Sequence, residues 1–144
     1  MKKTLLIIAT LMVAIQFYRP YKNTTEHSTK NDFLHVEPAP PKIVNIFKKS
    51  CYDCHSDHTS YAWYDNIAPL SWYVDGHIKR AKFSLNLSEW GTFEPWRKQL
   101  FIQGGMIYDI NIDKMPPQSY LILHPSAKIS IKEKVLLNAW FKTL

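Results

Sequence analysis

The sequence predicts an all-α domain of about four helices joined by long loops. Three observations carry that expectation. Apolar residues recur at helical spacing in four windows after residue 40, strand signals are nearly absent, and prolines or paired glycines stand at the window ends.

Taken in order, the first element lies outside those windows. MKKTLLIIATLMVAIQFYRPYK sets two lysines before an apolar run over residues 5–14 that continues through Ile15 and closes on Phe17, Tyr18 and Arg19. This is the n-region and h-region of an export signal. No A-x-A motif stands at the end of the run, where Ala14 is followed by bulky residues, so retention as an anchor is expected over cleavage. Residues 5–18 would reach about 21 Å as a helix, against a hydrocarbon core of ~30 Å. Snorkelling of Lys3 and Arg19, with Phe17, Tyr18 and Tyr21 in the interfacial belt, would make up much of the deficit. Either outcome exports the rest of the chain: to the periplasmic side of the cytoplasmic membrane if anchored, to the soluble periplasm if cut. Residues 1–22 are thus read as the signal anchor or signal peptide. Residues 23–40, polar in NTTEHSTKN and proline-stiffened in EPAPP, are read as a flexible linker. Residues 41–144 are read as one folded domain.

In that domain PPKIVNIFKKSC starts a helix at Pro41, with Ile43, Val44, Ile46 and Phe47 as its apolar stripe. A second helix is expected over about 69–83, with a further turn beginning at Ser88 or Glu89. A third starts near Pro95, carries Trp96, Leu100 and Phe101 on one side, and stops at Gly104 and Gly105. Residues 106–125 read as loop, YLIL being short enough for either helix or strand. The last helix opens with a capping box, Ser130 with Glu133, and turns Ile131, Val135, Leu136, Ala139 and Trp140 inward.

Net charge excludes one class of function. Of the total of +6, Lys2, Lys3, Arg19, Lys22 and Lys30 against Glu26 supply four in the first 30 residues. The other 114 residues carry 13 basic and 11 acidic side chains and no basic run interleaved with aromatics, so nucleic acid is not an expected partner.

The chemistry concentrates in SCYDCHSD. Cys51 and Cys54, the only cysteines, stand two residues apart with His55 directly after, which is the attachment pattern for c-type haem. One helical turn puts the two thiols on adjacent rungs, able to reach the vinyl groups along one porphyrin edge, while His55 projects to the iron. A structural zinc site needs four ligands, and His58 and His77 have the wrong spacing. A thioredoxin-like redox pair expects a βαβ context. A disulfide across two residues closes a loop too small to stabilise much. One covalently attached haem c is therefore the expected cofactor.

A second axial ligand must come from a segment that wraps around the macrocycle, which excludes His58. Met115 fits, 60 residues after His55 in DKMPPQSY, where Pro116 restricts its backbone. Met106, His77 and His124 are the rivals. Ligating histidines donate their other N–H to a fixed acceptor, and a carbonyl in NIAPLSW such as that of Pro69 is the expected one. Trp63, Trp72, Trp90, Trp96 and Tyr120 are further residues able to pack on the porphyrin or bond its propionates.

The set CYDCHSDHTSYAWYDNIAPLSWYVDGHIKRAKFSLNLSEWG, MPPQSYLILHPSAKIS and a terminal E…LLNAW resembles the small haem-binding domain family of exported bacterial proteins, a c-type-cytochrome-like group, over about residues 40–141. The resemblance implies a cytochrome c-like bundle around haem bound at Cys51 and Cys54, His55 as proximal ligand and Met115 as distal. His/Met ligation closes both axial positions, so the expected function is one-electron transfer with a redox partner protein rather than catalysis. An open distal site would instead suit an enzyme reducing peroxide or a sensor binding a small gas. An accessory domain of a larger complex is a third expectation.

Overall fold

The computed structural model describes residues 1–25 and 29–144. It is helical, and among the described residues the only β-type pairing is an isolated antiparallel bridge between Thr24 and His58. The elements run α1 (Lys2–Ala14), α2 (Phe33–Val36), α3 (Pro41–Ser50), α4 (Tyr52–His55), α5 (Leu70–Ser84), α6 (Pro95–Leu100), a π-helix (Phe101–Ile107), α7 (Tyr108–Asn111), α8 (Gln118–Leu121) and α9 (Ile131–Phe141). Short 3-10 turns fill several connections, among them Trp63–Asn66 and Leu87–Thr92.

The core forms where α2, α3, the Leu87–Thr92 turn, the π-helix and α9 meet. Phe33, Phe47, Leu87, Trp90, Leu137 and Phe141 are at most 1% exposed. Phe33 is its hub: its ring lies 4.8 Å from those of Phe47 and Trp90 and 5.7 Å from Trp140, edge-to-face with both tryptophans. The expected stripe of α3 is observed, with Ile43, Ile46 and Phe47 buried and Val44 half-buried.

Four expectations need correction. Gly104 and Gly105 do not end the third helix. The chain continues through them as a π-helix into α7 and turns only after Asn111, where Asp113 takes a left-handed φ of 58°. A glycine pair is a common stop but is compatible with helix when neighbours hold both sides. YLIL contributes to helix α8. The capping box of α9 is present, Ser130 Oγ accepting from the Glu133 N–H at 3.3 Å and Glu133 Oε2 accepting from the Ser130 N–H at 2.8 Å. Its buried face, however, is Leu137 and Phe141, while Ile131 and Val135 are 81% and 65% exposed. Apolar residues on every side of that helix leave its inner face undetermined by spacing alone. On α6, likewise, Trp96 and Leu100 point outward, and Ile102 of the π-helix enters the core.

The fourth correction concerns the expected linker. Phe33 is fully buried, and a Cβ on Gly91 would lie 2.7 Å from Asn31 Oδ1, so this stretch packs closely on the Leu87–Thr92 turn. Residues 23–25 lie along residues 57–59: the Thr25 N–H donates to the Asp57 carbonyl at 3.2 Å and the Thr59 N–H to the Asn23 carbonyl at 2.9 Å. Residues 26–28, also within the expected linker, lie outside the described residues.

α1 stands apart. None of its residues is buried, and no helix among the described residues is long and apolar enough to cross a membrane.

Because Phe33 is the hub of the core, Phe33→Ala should lower the unfolding free energy by about 3–5 kcal/mol, measured by denaturant titration. A residue on a free linker would change it by a few tenths at most.

Candidate functional site

The site is assembled from the junction of α3 and α4. α3 ends as the Cys51 N–H donates to the Phe47 carbonyl at 2.9 Å, and Cys51 then accepts from the N–H groups of Cys54 (3.2 Å) and His55 (2.9 Å). Cys51, Cys54 and His55 therefore share a single turn, and both thiols are free. The residues between the cysteines fasten that turn. Tyr52 Oη donates to Asp32 Oδ1 at 2.8 Å, and Asp32 also caps α2. Asp53 Oδ2 accepts from Tyr120 Oη at 2.7 Å, its Oδ1 accepts from the Ser60 N–H at 3.1 Å, and its carbonyl accepts from Thr59 Oγ1 at 2.6 Å.

His55 Nδ1 lies 2.9 Å from the Leu85 carbonyl oxygen. A carbonyl only accepts, so Nδ1 carries the proton, and the neutral ring has its lone pair on Nε2. Burial pushes the His55 pKa below the ordinary imidazole range, against the opposing pull of the Leu85 and Ala81 carbonyls and the Asp109 carboxylate. The ring is thus the neutral, Nε2-free form that binds a metal ion.

Leu85 directly follows α5, where carbonyls have lost their intrahelical partners. Its position is held from both sides. Buried Asn86 donates through Nδ2 to Asp57 Oδ1 at 2.8 Å, Lys82 Nζ lies 2.6 Å from the same carboxylate oxygen, and Ser88 Oγ accepts from the Asp57 N–H at 3.1 Å. The loop after His55 and the end of α5 are thereby joined into one unit. The Pro69 carbonyl, the acceptor expected from the sequence, instead accepts from the N–H groups of Trp72 (3.1 Å) and Tyr73 (3.3 Å) at the start of α5.

Cys51, His55, Leu85, Phe101, Met106 and Met115 line one cavity, which Asp109 and Ile110 also border. Met115 is presented by the turn after α7, where the N–H groups of Lys114 and Met115 both donate to the Asp109 carbonyl, at 2.9 and 3.1 Å. Cys54 opens onto a second cleft with Pro117, Tyr120, His77 and His124. Met115 and Pro117 place the same loop on both. The two expected histidine rivals are engaged elsewhere: His124 Nε2 lies 2.9 Å from Tyr64 Oη with its ring stacked 4.0 Å from that of Tyr120, and His77 Nδ1 lies 3.2 Å from the Tyr73 carbonyl and 3.0 Å from Arg80. Met106 remains beside Met115.

The tryptophans do not line either space. Trp90 is in the core and donates to Glu37, Trp72 donates to the Tyr18 carbonyl, and Trp63 and Trp96 are 75% and 68% exposed. Sequence reading missed Leu85, Phe101 and Asp109. The carbonyls left over at the C-terminal end of α5 were the signal for the first; nothing in the sequence marked the other two.

The donor set of the main cavity is one imidazole nitrogen and two thioethers, beside two thiols on one turn. That combination suits a haem iron. The main cavity holds about 120 Å³, less than the ~150 Å³ that admits one benzene. The cavity is open on one side, and open space lies beside Gly104 and Gly105 of the π-helical wall. Among the described residues no group of three or more His, Cys, Asp or Glu is arranged to hold a metal ion.

A family model described as a haem-binding domain matches residues 10–143. Comparison with curated proteins and with solved structures gives no match.

Burial pushes the thiols up, Cys51 to about 12 and Cys54 to about 11 from 9.0. In haem-free folded protein at pH 8, iodoacetamide should alkylate Cys54 roughly 100-fold more slowly than in the unfolded chain, following its thiolate fraction. A mass-spectrometric time course reads this directly; equal rates would show that the turn is open to solvent.

Proposed function

The chain belongs to the haem-binding domain family, and from that premise we propose that it is an exported mono-haem c-type protein that transfers single electrons. On this reading Cys51 and Cys54 hold one haem c through thioether bonds, His55 is the proximal ligand and Met115 the distal one. The observation that carries it is the hydrogen bond from His55 Nδ1 to the Leu85 carbonyl, in a cavity that also contains Cys51 and Met115.

Haem supplies a one-electron couple at iron. The chain's own residues do the rest. His55 offers Nε2 while Leu85 fixes the ring plane and strengthens its basicity. Met115, held by the Asp109 turn, offers a soft neutral sulfur that favours the reduced state. Phe47, Phe101 and Ile110 give the cavity an apolar lining. If His55 and Met115 both held the iron, no place would remain for a substrate, which supports electron transfer over peroxide or gas chemistry.

The partner is a redox protein reached from outside the cytoplasmic membrane, where the apolar N-terminal segment serves as anchor. Lys2 and Lys3 before that segment support its cytoplasmic start. A second distal ligand is supported by one observation: Met106 lines the same cavity as Met115.

Haem-dependent peroxidase staining of the denatured band tests attachment. Wild type should stain and Cys51→Ala/Cys54→Ala should not; stain in both lanes or neither refutes covalent linkage. Carbon monoxide should leave the reduced spectrum of wild type unchanged and shift that of Met115→Ala. If Met106→Ala is the variant that gains the shift, the distal ligand is Met106.

A further inference from the structure

The chain leaves α1 without slack. α1 ends at Ala14, and Gln16 already grips the domain: its Nε2 donates to the Ala68 carbonyl at 3.0 Å and its Oε1 accepts from the Ala68 N–H at 3.0 Å. Two residues further, the Tyr18 carbonyl accepts from Trp72 Nε1 at 3.0 Å, with the two rings edge-to-face at 5.8 Å. The Asn23 N–H then donates to Tyr61 Oη at 2.8 Å, and Asn23 Nδ2 donates to the Ser56 carbonyl at 2.8 Å. A domain that swings on a tether needs several free residues between its anchor and its first fixed contact. Here there is one.

The helix feeding this joint is apolar and buries none of its thirteen residues in the protein. Its length, about 20 Å at the helical rise, falls well short of a ~30 Å hydrocarbon core. A short apolar helix fastened to a domain at its end draws that domain to the bilayer surface. The side chains around the joint suit that depth. Phe17 is 87% exposed beside Gln16, Ile67 is 46% exposed beside Ala68, and Trp63, on the turn leading to Ile67, is 75% exposed. Aromatic residues prefer the headgroup level, and Arg19 and Lys22 on the same segment suit phosphate groups.

We infer that the domain docks on a phospholipid bilayer in one orientation, through a face made of Phe17, Trp63 and Ile67 at the base of α1. The inference rests on the anchored reading of α1 given above.

The test uses the full chain in phosphatidylcholine/phosphatidylglycerol vesicles doped with a lipid carrying a diazirine at the headgroup end of its acyl chain. After irradiation, peptide mass spectrometry should find lipid adducts on the peptide holding Trp63 and Ile67 several-fold above those on the peptide holding Trp96, an equally accessible tryptophan on α6. A flexible Gly/Ser insert after Ala14 leaves every domain contact in place and should bring that ratio to near one, with flotation of the vesicle-bound chain unchanged. If wild type does not float, the anchor and the docking fall together. If it floats but labels both peptides equally, or if the insert leaves the ratio unchanged, docking alone is overturned and anchoring stands.

Discussion

The hydrogen bond between His55 Nδ1 and the Leu85 carbonyl is the contact on which the site depends. It sets the tautomer, so it decides which ring nitrogen faces the cavity. It also crosses from the single turn of α4 to the end of α5, two elements that pack directly against each other. The polar set of Asp57, Lys82, Asn86 and Ser88 holds that crossing from the other side. Asn86 and Ser88 are buried, and their side-chain bonds keep these polar groups satisfied, so this arrangement has few alternatives of comparable energy.

A second constraint is the fastening of the Cys-x-x-Cys-His turn by its own intervening residues. Tyr52 reaches back to Asp32 on the N-terminal side of the fold, and Asp53 reaches forward to Tyr120 on α8. The motif is therefore tied to segments before and after it in sequence. Asp32 in turn starts the helix that carries Phe33, so the hub of the core and the motif share one support. In a domain with this many short helices, such side-chain ties do much of what long packed helices do elsewhere.

The parts of this architecture legible in the sequence were those governed by local chemistry. The Pro41 start, the Ile43, Ile46 and Phe47 stripe, the Ser130–Glu133 box and the Cys-x-x-Cys-His turn each need only a few neighbouring residues, and each is present. What was not legible depended on distant partners. Gly104 and Gly105 form part of a π-helix because the segments on both sides are held. The buried face of α9 is chosen by Phe47 and Trp140 packing, since apolar side chains surround that helix. NTTEHSTKN has the composition of a tether, yet Asn23 bonds to Ser56, Tyr61 and Thr59 and receives Lys82, none of which lies within thirty residues of it. Sequence distance points to Pro69 as the acceptor for His55, whereas the carbonyl that meets it is that of Leu85, at the end of α5.

The burial of the two thiols bears on the order of events in maturation. Addition of a thiol across a vinyl group needs a partly ionised sulfur, and desolvation in the folded turn holds both thiols well above their ordinary range, with Cys51 packed against the core around Phe33. On the covalent reading, ligation of the cofactor must precede closure of the chain around Phe33. The chain that accepts the cofactor would then be still unfolded, and the native domain would be closed to further attachment.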